Sequence, residues 1–67
     1  MKTVIYKSGG IYCTTTERNY RARVSNARLI HEMRDFNSPQ EIIDYYCKYF
    51  GAKPEDFIVV STTEGGI

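Results

Sequence analysis

The stretch Ser38-Pro39-Gln40-Glu41-Ile42-Ile43-Asp44-Tyr45-Tyr46-Cys47-Lys48-Tyr49-Phe50-Gly51 decides how the rest of the chain must be arranged. Ser38 is a good N-cap, because its hydroxyl can accept from an amide of the first turn. Pro39 suits the first helical position, where its missing N–H costs nothing. Glu41, three residues after the cap, can reach back and complete a capping box. Glu41 and Asp44 also suit the positive end of the helix dipole. Gly51 supplies the left-handed residue that closes such a helix, and Pro54 prevents its resumption. The spacing therefore predicts a helix over 39–50.

At about 100° per residue, Ile43, Tyr46, Cys47 and Phe50 fall on one apolar stripe. Gln40, Glu41, Asp44 and Lys48 form the polar side, and Ile42, Tyr45 and Tyr49 form a second apolar stripe. A helix lying on one small sheet needs only one such stripe. Ile43, Tyr46, Cys47 and Phe50 are expected to face the sheet. Ile42, Tyr45 and Tyr49 are left for a partner, for a second copy of the chain, or for a flanking role with the hydroxyls in water.

Strands are predicted on both sides of this helix. Downstream, Phe57-Ile58-Val59-Val60-Ser61 is short and apolar enough to be an inner strand. Upstream, Thr3-Val4-Ile5-Tyr6 alternates between two faces, and Lys7-Ser8-Gly9-Gly10 provides the paired glycines of a tight hairpin. Ile11-Tyr12-Cys13-Thr14-Thr15-Thr16, rich in β-branched residues, is the return strand. After a turn at Glu17-Arg18-Asn19, the alternation of Tyr20, Ala22 and Val24 with Arg21 and Arg23 predicts a half-buried strand with arginines outward. Residues 25–36 read two ways. As a strand after a turn or bulge at Ser25-Asn26, they put Leu29, His31 and Met33 on one face. As a helix capped by Ser25, they align Ala27, Ile30, Met33 and Arg34. The strand reading is preferred, because a helix there would abut the next one at Asn37.

The fold class that follows is α+β: an antiparallel sheet of four to five short strands, with the 39–50 helix on one face, in the order ββββαβ or βββαβ. Residues 1–61 form one small domain, and 62–67 are expected to be a flexible tail. A chain of 67 residues has a small core, since a domain of this size buries only about 60% of its unfolded surface.

Charge is sorted along the chain. Residues 18–34 hold Arg18, Arg21, Arg23, Arg28 and Arg34 against Glu32 alone, whereas 35–67 hold Asp35, Glu41, Asp44, Glu55, Asp56 and Glu64 against Lys48 and Lys53. The net charge is only +1, so the chain is a dipole rather than a polycation. Such a dipole, if it survives folding, gives one face that attracts anions and another that repels them. Arginine, with its planar fork, favours phosphates or carboxylates. Against a nucleic-acid role, such modules usually have a pI above about 9, and this chain's is ≈ 7.8.

Catalysis and cofactors find little support. His31 is the single histidine, and a dyad with Cys13 has no motif behind it. One His with Cys13 and Cys47 is too small a set for a metal, and Ser8-Gly9-Gly10 lacks the lysine and length of a phosphate loop. The two cysteines are expected to be reduced and largely buried, in a cytoplasmic protein. No apolar run approaches 18 residues, so no membrane-spanning helix is expected.

The leading expectation is a non-catalytic protein-binding module. It would be a stoichiometric inhibitor or modulator of a larger bacterial protein, of the kind small phage or mobile-element genes encode against host or defence proteins. Its partner-binding residues would be Ile42, Tyr45 and Tyr49, and a homodimer is also open. Two alternatives use Arg18, Arg21, Arg23 and Arg28: a nucleic-acid-binding face, or an oligomeric sponge for an anionic nucleotide.

Overall fold

The computed structural model describes residues 2–24 and 26–60. Strand β1, Thr3–Ser8, turns at Gly9-Gly10 into β2, Ile11–Thr16. Helix α1 spans Glu17–Arg21, a 3-10 turn spans Ala27–Leu29, and β3 spans His31–Met33. Helix α2 spans Pro39–Phe50 and is followed by a 3-10 turn at Pro54–Asp56 and strand β4, Phe57–Val59.

The α+β class stands, but the sheet is mixed and four-stranded, in the order β3-β2-β1-β4. β1 and β2 pair antiparallel from Thr3↔Thr16 to Ser8↔Ile11, and β3 adds antiparallel to β2. β4 pairs parallel with β1, from Thr3↔Phe57 to Ile5↔Val59. The fully antiparallel arrangement is thus corrected, and the last strand is an edge rather than an inner strand. The physical reason is the connection. β3 and β4 occupy opposite edges and run the same way, and α2 spans the gap between them, as a crossover must. The expected strand at 57–61 shortens to Val59, although the Val60 amide still donates to the Ile5 carbonyl at 2.9 Å. The expected tail, 62–67, lies outside the described residues.

The predicted strand at Tyr20–Val24 is absent; Tyr20 and Arg21 end helix α1, and Ala22–Val24 form the turn that follows it. Thr16 ends β2 and caps α1, its hydroxyl accepting from the Asn19 amide at 3.1 Å. Glu17 and Arg21, four apart, pair at 2.9 Å across one turn. Local capping and a helical ion pair override an alternation of only three apolar residues. Arg23 then takes a positive φ of 57° and turns the chain away. Of residues 26–36, the strand reading holds only for His31–Met33, Asn26 caps the 3-10 turn by accepting from the Arg28 amide at 2.9 Å, and the readings of Ser25 as turn, bulge or helix cap lie outside the described residues.

α2 has the predicted bounds. Ser38 Oγ accepts from the Glu41 amide at 3.3 Å, while Glu41 reaches back to the Asn37 amide at 2.9 Å. Gly51 sits at φ 69°, in the left-handed region. Gly9 and Gly10, at φ 59° and 82°, make the hairpin turn that fixes the β1–β2 register.

The side chains of β1 alternate between two covered faces. Ile5, fully buried, packs with Ile42 and Ile43 of α2, and Met33, Phe36, Cys47 and Phe57 close around them. Val4 and Tyr6 point the other way, toward α1, where the Tyr6 and Tyr20 rings stand 5.2 Å apart. Thr15, also on that side, donates its hydroxyl to the Leu29 carbonyl at 2.7 Å and pins the 3-10 turn. Cys13 lies on the α1 face and Cys47 packs on the α2 face, and neither is in a disulfide.

The burial of Ile42 makes a test. Replacing it by Ala should cost about 2–5 kcal/mol, enough to bring a domain this small close to unfolding. Phe50→Ala should change stability by no more than about 1 kcal/mol, because its ring is largely in solvent. Urea denaturation of both variants measures the difference.

Candidate functional site

The predicted partner stripe does not hold together as one exposed surface. Ile42 is 0% exposed and belongs to the core, whereas Tyr49 is 62% exposed and Tyr45 half-buried. Phe50, expected to face the sheet, is 66% exposed. The cause is a rotation of α2 about its own axis. Ile42 and Ile43 bracket the line of contact with Ile5, so both expected stripes meet the sheet at their N-terminal ends. Tyr46 and Cys47 still pack on the core, and Tyr49 and Phe50 in the last turn do not.

The outcome is an aromatic cluster at the C-terminal end of α2, graded from buried to exposed. The Tyr46 ring stacks on Phe57 of β4 at 5.7 Å, and its hydroxyl lies 3.3 Å from Thr14 Oγ1. The Tyr45 ring meets Phe36 at 5.3 Å on one side and Tyr49 at 5.0 Å on the other. Phe50 rests against Tyr45 at 5.8 Å and Tyr46 at 5.5 Å. Lys48 Nζ stands 5.5 Å from the centre of the Tyr49 ring. Tilted and edge-on contacts of this kind add about 0.5–1.5 kcal/mol each beyond area burial. Tyr49 and Phe50 are therefore held in place by Tyr45 and Tyr46 while remaining open to solvent.

The arginines fall on the other side of the molecule. Arg18 and Arg21 are on α1, Arg23 follows it, and Arg28 is in the 3-10 turn. Arg21 and Arg23 consequently share no strand face. All four are exposed. Arg21 is tied to Glu17, and Arg34 to Glu32 at 2.9 Å. Among the described residues, Arg18, Arg23 and Arg28 form no ion pair. The sheet thus separates this basic layer from α2, which carries Glu41 and Asp44 against Lys48. The charge sorting read along the sequence becomes a sorting across the fold.

Cys13, His31 and Glu32 all line one groove of about 520 Å³ beside β3. Cys13 is paired across the sheet with Glu32, and His31 with Thr14, so the β2–β3 register sets the thiol and the imidazole on opposite faces. Among the described residues, no three His, Cys, Asp or Glu side chains cluster to hold a metal, and no helix is long and apolar enough to cross a membrane.

Two features escaped the sequence reading. Phe50 was assigned to the core by helical angle alone, and nothing local reveals that its ring stays in solvent. The second is a groove at the end of the sheet, floored by Thr3, Thr14 and Thr16. It was foreshadowed by the paired glycines, whose two-residue turn puts Thr3 opposite Thr16.

No family model, curated protein or solved structure matches the chain.

The grading of the aromatic cluster predicts a split between support and surface. Tyr45→Ala should destabilise the fold by about 2–3 kcal/mol through lost packing. Tyr49→Ala should stay within about 1 kcal/mol of the parent. Thermal melts followed by circular dichroism distinguish the two.

Proposed function

We propose that the chain is a non-catalytic protein-binding module that docks through the aromatic end of α2, with Tyr49 and Phe50 as its anchors. The observation that carries this reading is the pair itself: two adjacent large aromatics, 62% and 66% exposed, braced from behind by Tyr45 and Tyr46. Aromatic side chains of this kind dominate binding energy when a partner desolvates them. Bracing lowers the entropy cost of docking, because the rings are already ordered. Glu41 and Asp44 on the same helix favour a partner with basic groups around its pocket, which speeds encounter and fixes orientation. Such a module acts by occupancy, as a stoichiometric inhibitor or modulator of a larger protein.

A second reading rests on a separate observation, the free guanidinium groups of Arg18, Arg23 and Arg28. They support contact with nucleic-acid phosphates on the α1 side. That reading requires an affinity that falls steeply with salt.

Affinity capture from a bacterial lysate with nuclease, using the parent chain, Tyr49→Ala/Phe50→Ala and Arg18→Gln/Arg23→Gln, separates the readings. One protein retained in near-equal amount by the parent and the arginine variant, and lost with the aromatic variant, is the expected result. The double alanine variant should bind at least about 30-fold more weakly, as loss of a hot spot does. Unchanged capture by that variant would overturn the aromatic site. Recovery that disappears with nuclease would move the function to the arginine side. A dimer of the parent that the alanine pair dissociates would make the surface a self-interface.

A further inference from the structure

We infer that the groove at the end of the sheet is a binding site for the phosphate group of a small phosphorylated molecule. The groove has a volume of about 350 Å³, within the range of small-molecule sites. This inference is independent of the aromatic surface and of its partner.

The register builds the floor. Thr3 pairs with Thr16 across β1–β2, and Thr14 with His31 across β2–β3. Thr14 and Thr16, two apart on β2, share a face. Three hydroxyls and an imidazole are therefore set side by side where a sheet under a helix would ordinarily carry Val or Ile. Tyr46 bounds the groove from α2, and Arg28 overhangs it from the 3-10 turn.

The hydrogen-bond inventory of these groups is lopsided. Thr16 Oγ1 accepts from the Asn19 amide at 3.1 Å. Among the described residues its own proton has no acceptor, although a hydroxyl carries one to give. Thr14 and Tyr46 share one bond at 3.3 Å, and the Tyr46 hydroxyl donates to Met33 Sδ at 3.9 Å, a weak acceptor that a phosphate oxygen outcompetes. The Arg28 guanidinium has five donors and no ion pair among the described residues. No carboxylate lines the groove. It is a concavity with one cation and no anion among its lining residues, which also include Asn19, and a phosphate supplies up to three acceptor oxygens with negative charge. The planar fork of Arg28 can take two of them. Leu29, 43% exposed, and the Tyr46 ring leave an apolar margin for the organic part of the ligand.

The test is a titration followed by amide and arginine Nε nuclear magnetic resonance at fixed ionic strength, with inorganic phosphate, adenosine monophosphate and adenosine as probes. Saturable shifts confined to Thr14, Thr16, Arg28 and His31 are expected. The dissociation constant for phosphate should be on the order of 1 mM, and adenosine monophosphate should bind about tenfold more tightly. Arg28→Gln should weaken both by at least about tenfold, the worth of a charge-assisted bond. His31→Gln should weaken them less, and Arg21→Gln, outside the groove, should change neither. The dispersion of each variant's spectrum reports whether its fold is kept.

Absence of saturable shifts up to about 20 mM phosphate would overturn the site. So would an equal loss in Arg21→Gln, which would indicate diffuse attraction to the basic layer. Adenosine binding as tightly as its monophosphate would overturn the assignment to phosphate, and adenosine monophosphate binding no tighter than phosphate would overturn the assignment to a small organic ligand.

Discussion

The contact of Ile42 and Ile43 with Ile5 is the constraint on which the rest of the structure depends. It is the junction of the one long helix with the central strand of the sheet, and all three side chains are at least nine-tenths buried. Burying a side chain of this size contributes about 1.5–3 kcal/mol, so three isoleucines are a large share of what so small a domain can gain. Everything else on the α2 face is arranged around them. Met33, Phe36, Cys47 and Phe57 fill the rim, and Tyr46 closes one end with its hydroxyl on Thr14.

The buried isoleucines are the fourth and fifth of the twelve residues of α2, and by the last turn Tyr49 and Phe50 are exposed. The aromatic residues there cannot all be buried, and they brace one another instead. This produces an ordered apolar surface from residues that in a longer sheet would have become core. Tyr46 and Cys47, one turn after the isoleucines, still pack on the core, and the exposed aromatics begin only beyond them, at Tyr49 and Phe50. The surface we assign to a partner thus begins where the core contacts of α2 end.

The sheet also insulates. Its two faces carry different layers, acidic residues on α2 and arginines around α1, and opposite charges kept apart by a layer of backbone and apolar side chains cannot neutralise one another. Arg18, Arg23 and Arg28 remain available for that reason. Beside β2, Arg28 of the basic layer and Tyr46 of α2 line one groove with the threonines.

Local chemistry by itself determined several elements. Ser38, Pro39, Glu41 and Gly51 mark both ends of α2, and Gly9-Gly10 sets the hairpin and its register, because caps and tight turns are decided by neighbours within a few residues. The class, α+β with one helix on a sheet, followed from these. Tyr20–Val24 was misread because three alternating apolar residues weigh less than a threonine cap and a Glu17–Arg21 pair. Tertiary structure alone decided the rest. The parallel placement of β4 depends on where α2 delivers the chain, and the burial of Ile42 with exposure of Phe50 depends on how α2 lies against the sheet. Helical periodicity gives the relative angles of side chains about an axis but neither the rotation of that axis against the sheet nor the point along it at which burial ends. Those are fixed only when residues far apart in the chain pack together.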